Sequence, residues 1–204
     1  MIVIIDYGLG NIQAFVNVYK RLHIPVKVAT NAEQLSSAGK LILPGVGAFD
    51  HAMQRLNASG MRQMLDEMIL GQGIPVLGIC VGMQMLAESS DEGVLPGLGW
   101  IPGRVRSFQS TPQSMSLALP HMGWNDVKAV AGNPLFAGQK ESWVFYFLHS
   151  YFFECDELAH VAATANYGAT FSCAVALGNV YGVQFHPEKS HHCGVALLKN
   201  FAEM

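Results

Sequence analysis

The stretch Gly73-Ile-Pro-Val-Leu-Gly-Ile-Cys-Val-Gly-Met-Gln84 decides the fold. Residues 75–79 read as a short buried strand that ends in a sharp turn at Cys80 and passes into a helix. Gly78 and Gly82 flank the cysteine in a G-x-C-x-G pattern. That is the cysteine version of a nucleophile elbow, in which small neighbours let a strained turn push one reactive side chain clear of the backbone. A helix beginning just after Cys80 aims its unpaired N–H groups and its positive dipole end at the sulfur, and both favour thiolate over thiol. The competing reading is a buried structural cysteine in an apolar stretch, and it accounts for neither the paired glycines nor the switch from strand to helix.

Toward the N-terminus the same strand-then-turn grammar repeats. Ile2–Ile5 is a β-branched run closed by Asp6-Tyr-Gly-Leu-Gly-Asn11. Residues 12–22 then place Ile12, Phe15, Val16, Tyr19 and Leu22 at helical spacing, with Lys20 and Arg21 near the end. Residues 26–29 and 40–43 are further strands, the latter stopped by Pro44-Gly-Val-Gly47. Residues 48–71 carry a helical stripe that breaks near 57–60. Strands alternating with helices predict βαβ units and an open, mostly parallel twisted α/β sheet flanked by helices. Beyond residue 90 the character changes. Residues 93–126 are rich in Gly, Pro, Ser and Gln, with short extended pieces. Residues 144–147, 158–165, 171–177 and 179–184 read as successive strands, with a hairpin signal at Gly178-Asn179, and residues 195–201 close the chain as a helix. No repeat or linker divides residues 1–204, so the expectation is one domain with an antiparallel extension.

The bulk composition narrows the function classes. Of 204 residues, 50% are hydrophobic and only 13% charged, where soluble domains carry nearer a quarter. Either the core is large or part of the surface is covered by a partner, and a partner is the favoured reading. A net charge of −3 leaves no basic footprint for nucleic acid. No apolar run reaches the ~18 residues a membrane span needs, and Met1–Ile5 is too short and not basic enough for a signal peptide. The four cysteines are irregularly spaced with no C-x-x-C pair, as expected of free thiols in a reducing cytoplasm.

A cysteine nucleophile needs a base, and the base an orienting group. The segment Tyr181-Gly-Val-Gln-Phe-His-Pro-Glu-Lys-Ser190 offers both, because on an extended backbone His186 and Glu188 point to the same side. Backbone N–H groups of Val81 and of the Pro44–Gly47 turn are candidate oxyanion donors. Gly8-Leu-Gly10 lacks the third glycine and the acidic ribose partner of a dinucleotide fingerprint. His191, His192 and Cys193 match no common zinc spacing. No cofactor or metal is expected.

Gly78-Ile-Cys-Val-Gly-Met-Gln84 followed by Gly182-Val-Gln-Phe-His-Pro-Glu-Lys189 resembles the class I, triad-type glutamine amidotransferases. Asp6-Tyr-Gly-Leu-Gly-Asn11, Leu43-Pro-Gly-Val-Gly47, Pro120-His-Met-Gly-Trp-Asn125 and His149-Ser-Tyr151 are similar, over residues 2–203, to the glutaminase subunits of imidazole glycerol phosphate synthases. The resemblance implies that Cys80 attacks the carboxamide of L-glutamine, with His186 relaying protons and Glu188 orienting it. It implies that Val46, Gly47 and Val81 surround the oxyanion, the first two in a switchable strand. Gln84, Glu92, His149, Ser150 and Tyr151 would hold the substrate. Asn11, Trp124 and Asn125 would face a (β/α)₈-barrel cyclase subunit in a heterodimer, which receives the ammonia and forms imidazole glycerol phosphate and AICAR from phosphoribulosyl-formimino-AICAR ribonucleotide in histidine biosynthesis. A paralogous glutaminase serving a surface-sugar amidotransferase is the alternative. Val81, where Leu is usual, and His191-His-Cys193, where Gln or a small residue is common after Lys189-Ser190, depart from the family pattern.

Overall fold

A computed structural model of the chain describes residues 1–110, 117–138 and 142–204. Five parallel strands form its centre: β1 (Ile2–Ile5), β2 (Val26–Ala29), β3 (Lys40–Gly45), β4 (Val76–Cys80) and, far downstream, β12 (Val180–Val183). Their spatial order is β2-β1-β3-β4-β12, the 2-1-3-4-5 order of a flavodoxin-like sheet with its fifth strand supplied late in the chain. The strands β1, β3 and β4 are buried along almost their whole length. That explains why they read as continuous apolar runs, since a parallel sheet is covered on both faces.

Three helices agree with the expected spacing. In α1 (Ile12–Arg21), Phe15, Val16, Val18 and Tyr19 are buried, and Lys20 and Arg21 occupy the last turn, where cations meet the negative end of the helix. The stripe over 48–71 resolves into α2 (Phe49–Ala58), α3 (Arg62–Asp66) and one wide turn, Glu67–Gly71. The break falls where Gly60 takes φ +71°. The elbow helix α4 (Val81–Gln84) is a single turn. It has too few aligned peptides for the macrodipole expected from the sequence, and what it can offer a reacting atom is its unpaired first N–H groups.

The extension is larger than the parallel centre and mostly antiparallel. It comprises β5 (Ser89–Ser90), β6 (Gly103–Ser107), β7 (His121–Ala129), β8 (Trp143–His149), β9 (Tyr151–Cys155), β10 (Val161–Tyr167) and β11 (Ala169–Leu177). Among its described residues β5 alone pairs in parallel, with β6. From β12 the sheet continues β11-β10-β7-β8, while β9 branches from β11 to β6. Of the short extended pieces expected over 93–126, two are the full strands β6 and β7, and residues 111–116 lie outside the described residues. The strand expected over 158–165 starts later, because Leu158–His160 form a 3₁₀ turn. The last helix, α5 (His191–Glu203), starts four residues earlier than its apolar pattern. His191, His192 and Cys193 are weak helix formers and hide that first turn.

Gly178-Asn179 is the hairpin turn between β11 and β12, with Gly178 at φ +57°. The Asn179 amide donates to the carbonyls of Ile69 and Ile74, both at 2.9 Å. These bonds tie the hairpin to the loop entering β4 and place β12 in parallel register beside it, Gly182 opposite Gly78. Two segments a hundred residues apart thus end side by side at the carboxyl edge of one sheet, where open α/β sheets bind ligands.

Candidate active site

At that edge Cys80 has φ +56° and ψ −116°, a conformation costly for any side chain but glycine and characteristic of strained functional turns. The neighbours explain how the strain is held. A Cβ on Gly82 would lie 1.9 Å from the Leu43 carbonyl oxygen, and one on Gly78 2.6 Å from the Gly82 oxygen. The elbow is therefore pressed backbone-to-backbone against β3 and closes only with glycine at both positions.

Past the end of β12 the chain bends at Gln184 and Phe185 and then forms a 3₁₀ turn, Pro187–Lys189, in place of the extended backbone expected there. The Gln184 N–H donates to the Cys173 carbonyl and the His186 N–H to the Tyr146 carbonyl, each at 2.9 Å. His186 Nδ1 lies 3.0 Å from Glu188 Oε1, and both side chains are almost fully buried. A carboxylate oxygen can only accept, so Nδ1 carries the proton and Nε2 is turned toward Cys80. Nε2 is buried with no hydrogen-bond partner of ordinary geometry, yet its charge couples strongly to the sulfur. Burial alone lowers the imidazole pKa. The interactions with Cys80 and Glu188 outweigh it and push His186 up to about 10. Both neighbours thus favour the protonated ring. Ser190 clamps the loop from behind: its hydroxyl donates to the His186 carbonyl at 2.6 Å and accepts from the Tyr146 N–H at 3.0 Å.

A cavity of about 300 Å³ opens over the sulfur, lined by Val46, Gly47, Cys80, Val81, Gln84, Glu92, His149, Ser150, Tyr151 and His186. Every triad, oxyanion and substrate residue expected from the sequence except Glu188 lines it, and Glu188 stands directly behind His186. Val81 begins α4, so its N–H is among those a helix cannot satisfy internally. Val46 and Gly47 follow the end of β3, with Gly47 at φ +87°. Glu92 accepts from the Phe49 N–H at 2.9 Å, which fastens its carboxylate to the start of α2 at the cavity edge.

The remaining expected residues divide. Trp124 lies on the outer face of β7, half exposed, its ring stacked on His191 at 5.0 Å and 8°. Asn11 is exposed at the start of α1, in a turn whose Gly10 abuts Pro44. Asn125 is on the opposite face of β7 from Trp124. Its amide is committed inward, to His121 Nε2 at 3.2 Å and to the Asn166 carbonyl at 2.8 Å.

That inward amide starts a chain with one possible sense. The Tyr151 carbonyl lies 2.7 Å from His149 Nδ1 and can only accept, so Nδ1 bears the proton. His149 Nε2 then accepts from His121 Nδ1 at 2.9 Å, and His121 Nε2 accepts from Asn125. Burial lowers the His149 pKa to about 3, reinforced by the charges of His121 and His186 and opposed by the bond to Tyr151. Burial likewise lowers His121 to about 4. Both rings are therefore neutral donors and acceptors of fixed tautomer. His121→Phe would keep the stacking on Phe147 and Tyr167 but orphan His149 Nε2. We expect a loss of about 1–3 kcal/mol in urea unfolding at pH 7.5. Because the folded pKa of His121 lies below its unfolded value near 6.5, its presence costs the native protein stability as pH falls from there toward 4. The gap between wild type and variant should narrow over that range, and a gap that widens would contradict the assignment.

Sequence reading missed four residues at this site. Tyr7 is buried and donates to the Pro44 carbonyl at 2.7 Å, bracing the strand end before Val46. Lys189 lines the cavity with its ammonium 5.9 Å from the Tyr146 ring centre. His121 and Gln184 are buried in the polar network. Only Gln184 left a signal, since it stands two residues before His186 in the segment that runs on from the last strand.

The model of the glutamine amidotransferase class-I family matches residues 3–204. The chain belongs to this family. Among other class-I glutamine amidotransferases it is similar to the imidazole glycerol phosphate synthase subunit HisH of Bdellovibrio bacteriovorus, 66% identical over the full length of both chains. It is also similar to the HisH of Leptospira interrogans, 49% identical over both full lengths, and to HisH 2 of Pseudomonas aeruginosa, 45% identical over both. Among solved structures, a glutamine amidotransferase superposes with TM-score 0.75 at 19% identity, covering 99% of each chain. The structure of PurLQS from Thermotoga maritima gives 0.72 at 14%, covering 99% of this chain and 97% of its own. At such identities these two speak for the class-I fold alone.

Proposed function

We propose that this chain is the glutaminase subunit of an imidazole glycerol phosphate synthase. It hydrolyses L-glutamine to glutamate and ammonia and passes the ammonia to a cyclase subunit in histidine biosynthesis. The observation that carries the proposal is the meeting of Cys80, His186 and Glu188 beside one cavity, in a chain two-thirds identical to a HisH along its whole length.

In the proposed reaction the Cys80 sulfur attacks the carboxamide carbon, and the carbonyl oxygen becomes an oxyanion held by backbone N–H groups of Val81 and of Val46 or Gly47. His186 gives its Nε2 proton to the amide nitrogen, the C–N bond breaks, and ammonia leaves a thioester. His186 then takes a proton from water, the hydroxide displaces the sulfur, and glutamate is released. Glu188 holds the tautomer that makes both transfers possible. Gln84, Glu92, His149, Ser150 and Tyr151 bind the amino-acid end of the substrate.

An apolar collar supports the partner. Met122 and Trp124 on β7 pair across the strands with Leu148 and Tyr146 on β8, and they share one face. Met122, Trp124, Leu148 and nearby Val46 are exposed to 65, 50, 37 and 40%. Clustered exposed apolar side chains around a catalytic mouth mark a docking face. Covering it with a (β/α)₈-barrel cyclase in a cytoplasmic heterodimer would keep ammonia from water, where it protonates and loses its nucleophilicity. Trp124 belongs to this face; Asn11 and Asn125, expected at the same interface, are respectively exposed at the start of α1 and bonded to His121 and Asn166. No helix among the described residues is long and apolar enough to cross a membrane.

Glutamate release should be measured with the isolated chain and with the cyclase and its nucleotide substrate added. We expect the complex to be faster by ~100-fold or more, the value of one oxyanion donor turned into place. Fast turnover by the chain alone would overturn partner control. Failure to support imidazole glycerol phosphate formation with a competent cyclase would point to another acceptor.

A further inference from the structure

The structure assigns a role to Gln184: its side-chain amide donates a hydrogen bond to the Cys80 sulfur and holds it as the thiolate. Gln184 Nε2 lies 3.9 Å from Cys80 Sγ, within reach of a sulfur acceptor. Which end of the amide faces the sulfur follows from the network, starting at the Tyr151 carbonyl.

That carbonyl lies 3.3 Å from one terminal atom of the Gln84 side chain. A carbonyl only accepts, so this atom is nitrogen. The same nitrogen lies 3.0 Å from a terminal atom of Gln184, which must accept and is therefore oxygen. The other terminus of Gln184 is then NH₂, and it faces Cys80. A flip at either glutamine would set oxygen against oxygen or nitrogen against nitrogen. The carbonyl is itself fixed by the forced donation from His149. Orientation is thus handed from Tyr151 through Gln84 and Gln184 to the nucleophile.

Burial makes the last bond matter. Gln184 has no exposed surface, and among the described residues its NH₂ group has the Cys80 sulfur as its partner. An amide in such a place is costly unless bonded. A thiol is a weak acceptor and a thiolate a strong one, so the cost is recovered chiefly in the ionised state. A mere packing role would be better filled by Met or Leu. With His186 on one side and Gln184 on the other, the sulfur has one charged and one neutral stabiliser, and the neutral one gives up no proton during turnover.

This deepens the glutaminase reading and rests on it for its use, but its test does not. The full-length chain is alkylated with iodoacetamide across pH, and carbamidomethylation at Cys80 is followed by peptide mass. Gln184→Met keeps the volume and removes the donor. We expect the pH of half-maximal alkylation to rise by about one unit, as loss of a hydrogen bond to a charged group requires. Gln84→Met, which frees Gln184 to turn, should give a smaller rise. An unchanged profile in folded Gln184→Met overturns the assignment and leaves the glutaminase reading standing, since that reading fails instead if Cys80→Ala still hydrolyses glutamine. Should both variants misfold, the unchanged ¹⁵N-labelled chain decides: the Gln184 side-chain amide resonances move as Cys80 titrates, and resonances indifferent to that titration overturn the assignment.

Discussion

Cys80→Ala is expected to abolish glutamine hydrolysis while leaving synthesis from free ammonium salts by the complete synthase intact. The loss should reach roughly four orders of magnitude or more, as when a nucleophile is removed from a triad that acts as a unit. The physical ground is that among the described residues no second thiol lines the cavity. Cys155 and Cys173, pushed upward in pKa mainly by burial, lie in other strands, and neither lines the cavity. The methyl group of alanine fits the same turn but shares its unfavourable φ, so the fold itself should change little. Ammonia supplied from solution bypasses the chain's chemistry and needs only its presence on the partner. Loss of both activities would mean that Cys80 serves the docked structure and not the reaction, whereas survival of both would remove the nucleophile assignment.

Gly82→Ala should be nearly as damaging by a different route. One added methyl would sit 1.9 Å from the Leu43 carbonyl oxygen and about 3 Å from two further backbone carbons of β3. Those atoms belong to a fully buried stretch of strand and cannot swing aside. Either β3 moves, displacing the Val46–Gly47 segment at its end, or the elbow rises and carries Cys80 away from His186. We expect a stability loss of about 3 kcal/mol, at the upper end for overpacking, together with glutaminase activity at background. Gly71→Ala is the control: a Cβ there meets nothing within 4 Å, so unfolding should shift by no more than ~0.5 kcal/mol. Equal effects of the two substitutions would show that the crowding at the elbow is relieved cheaply.

Much of this could be read from the chain alone, for a reason of scale. The elbow, the glycine turns and the strand Ile2–Ile5 are local devices, specified by what a few consecutive residues can do. His186 and Glu188 were legible as a pair because they are two residues apart, although Pro187–Lys189 form a 3₁₀ turn and not the extended backbone expected, and it is that turn that brings Glu188 to Nδ1. The extension was harder to read. The strands β7 and β9 interrupt their apolar residues with Gly, Asn, Asp and Glu, and β7 carries the exposed Trp124, so neither shows a clean apolar period. Asn125 shows the same gap: its neighbourhood to Trp124 in sequence suggests a shared surface, yet alternation along a strand sends adjacent side chains to opposite faces.

By itself, the sequence determined a parallel α/β sheet with a strained cysteine at a strand end and an imidazole–carboxylate pair elsewhere, because backbone sterics and hydrophobic period act over a few residues. Only the tertiary structure decided that β12 lies against β4, so that the two halves of the chemistry meet. The same holds for the buried network from Asn125 through His121, His149, Tyr151, Gln84 and Gln184 to the sulfur. Its members are drawn from three strands, a strand end and the elbow helix. Its sense is set by a single carbonyl that can only accept, and no spacing in the chain encodes which donors will find it.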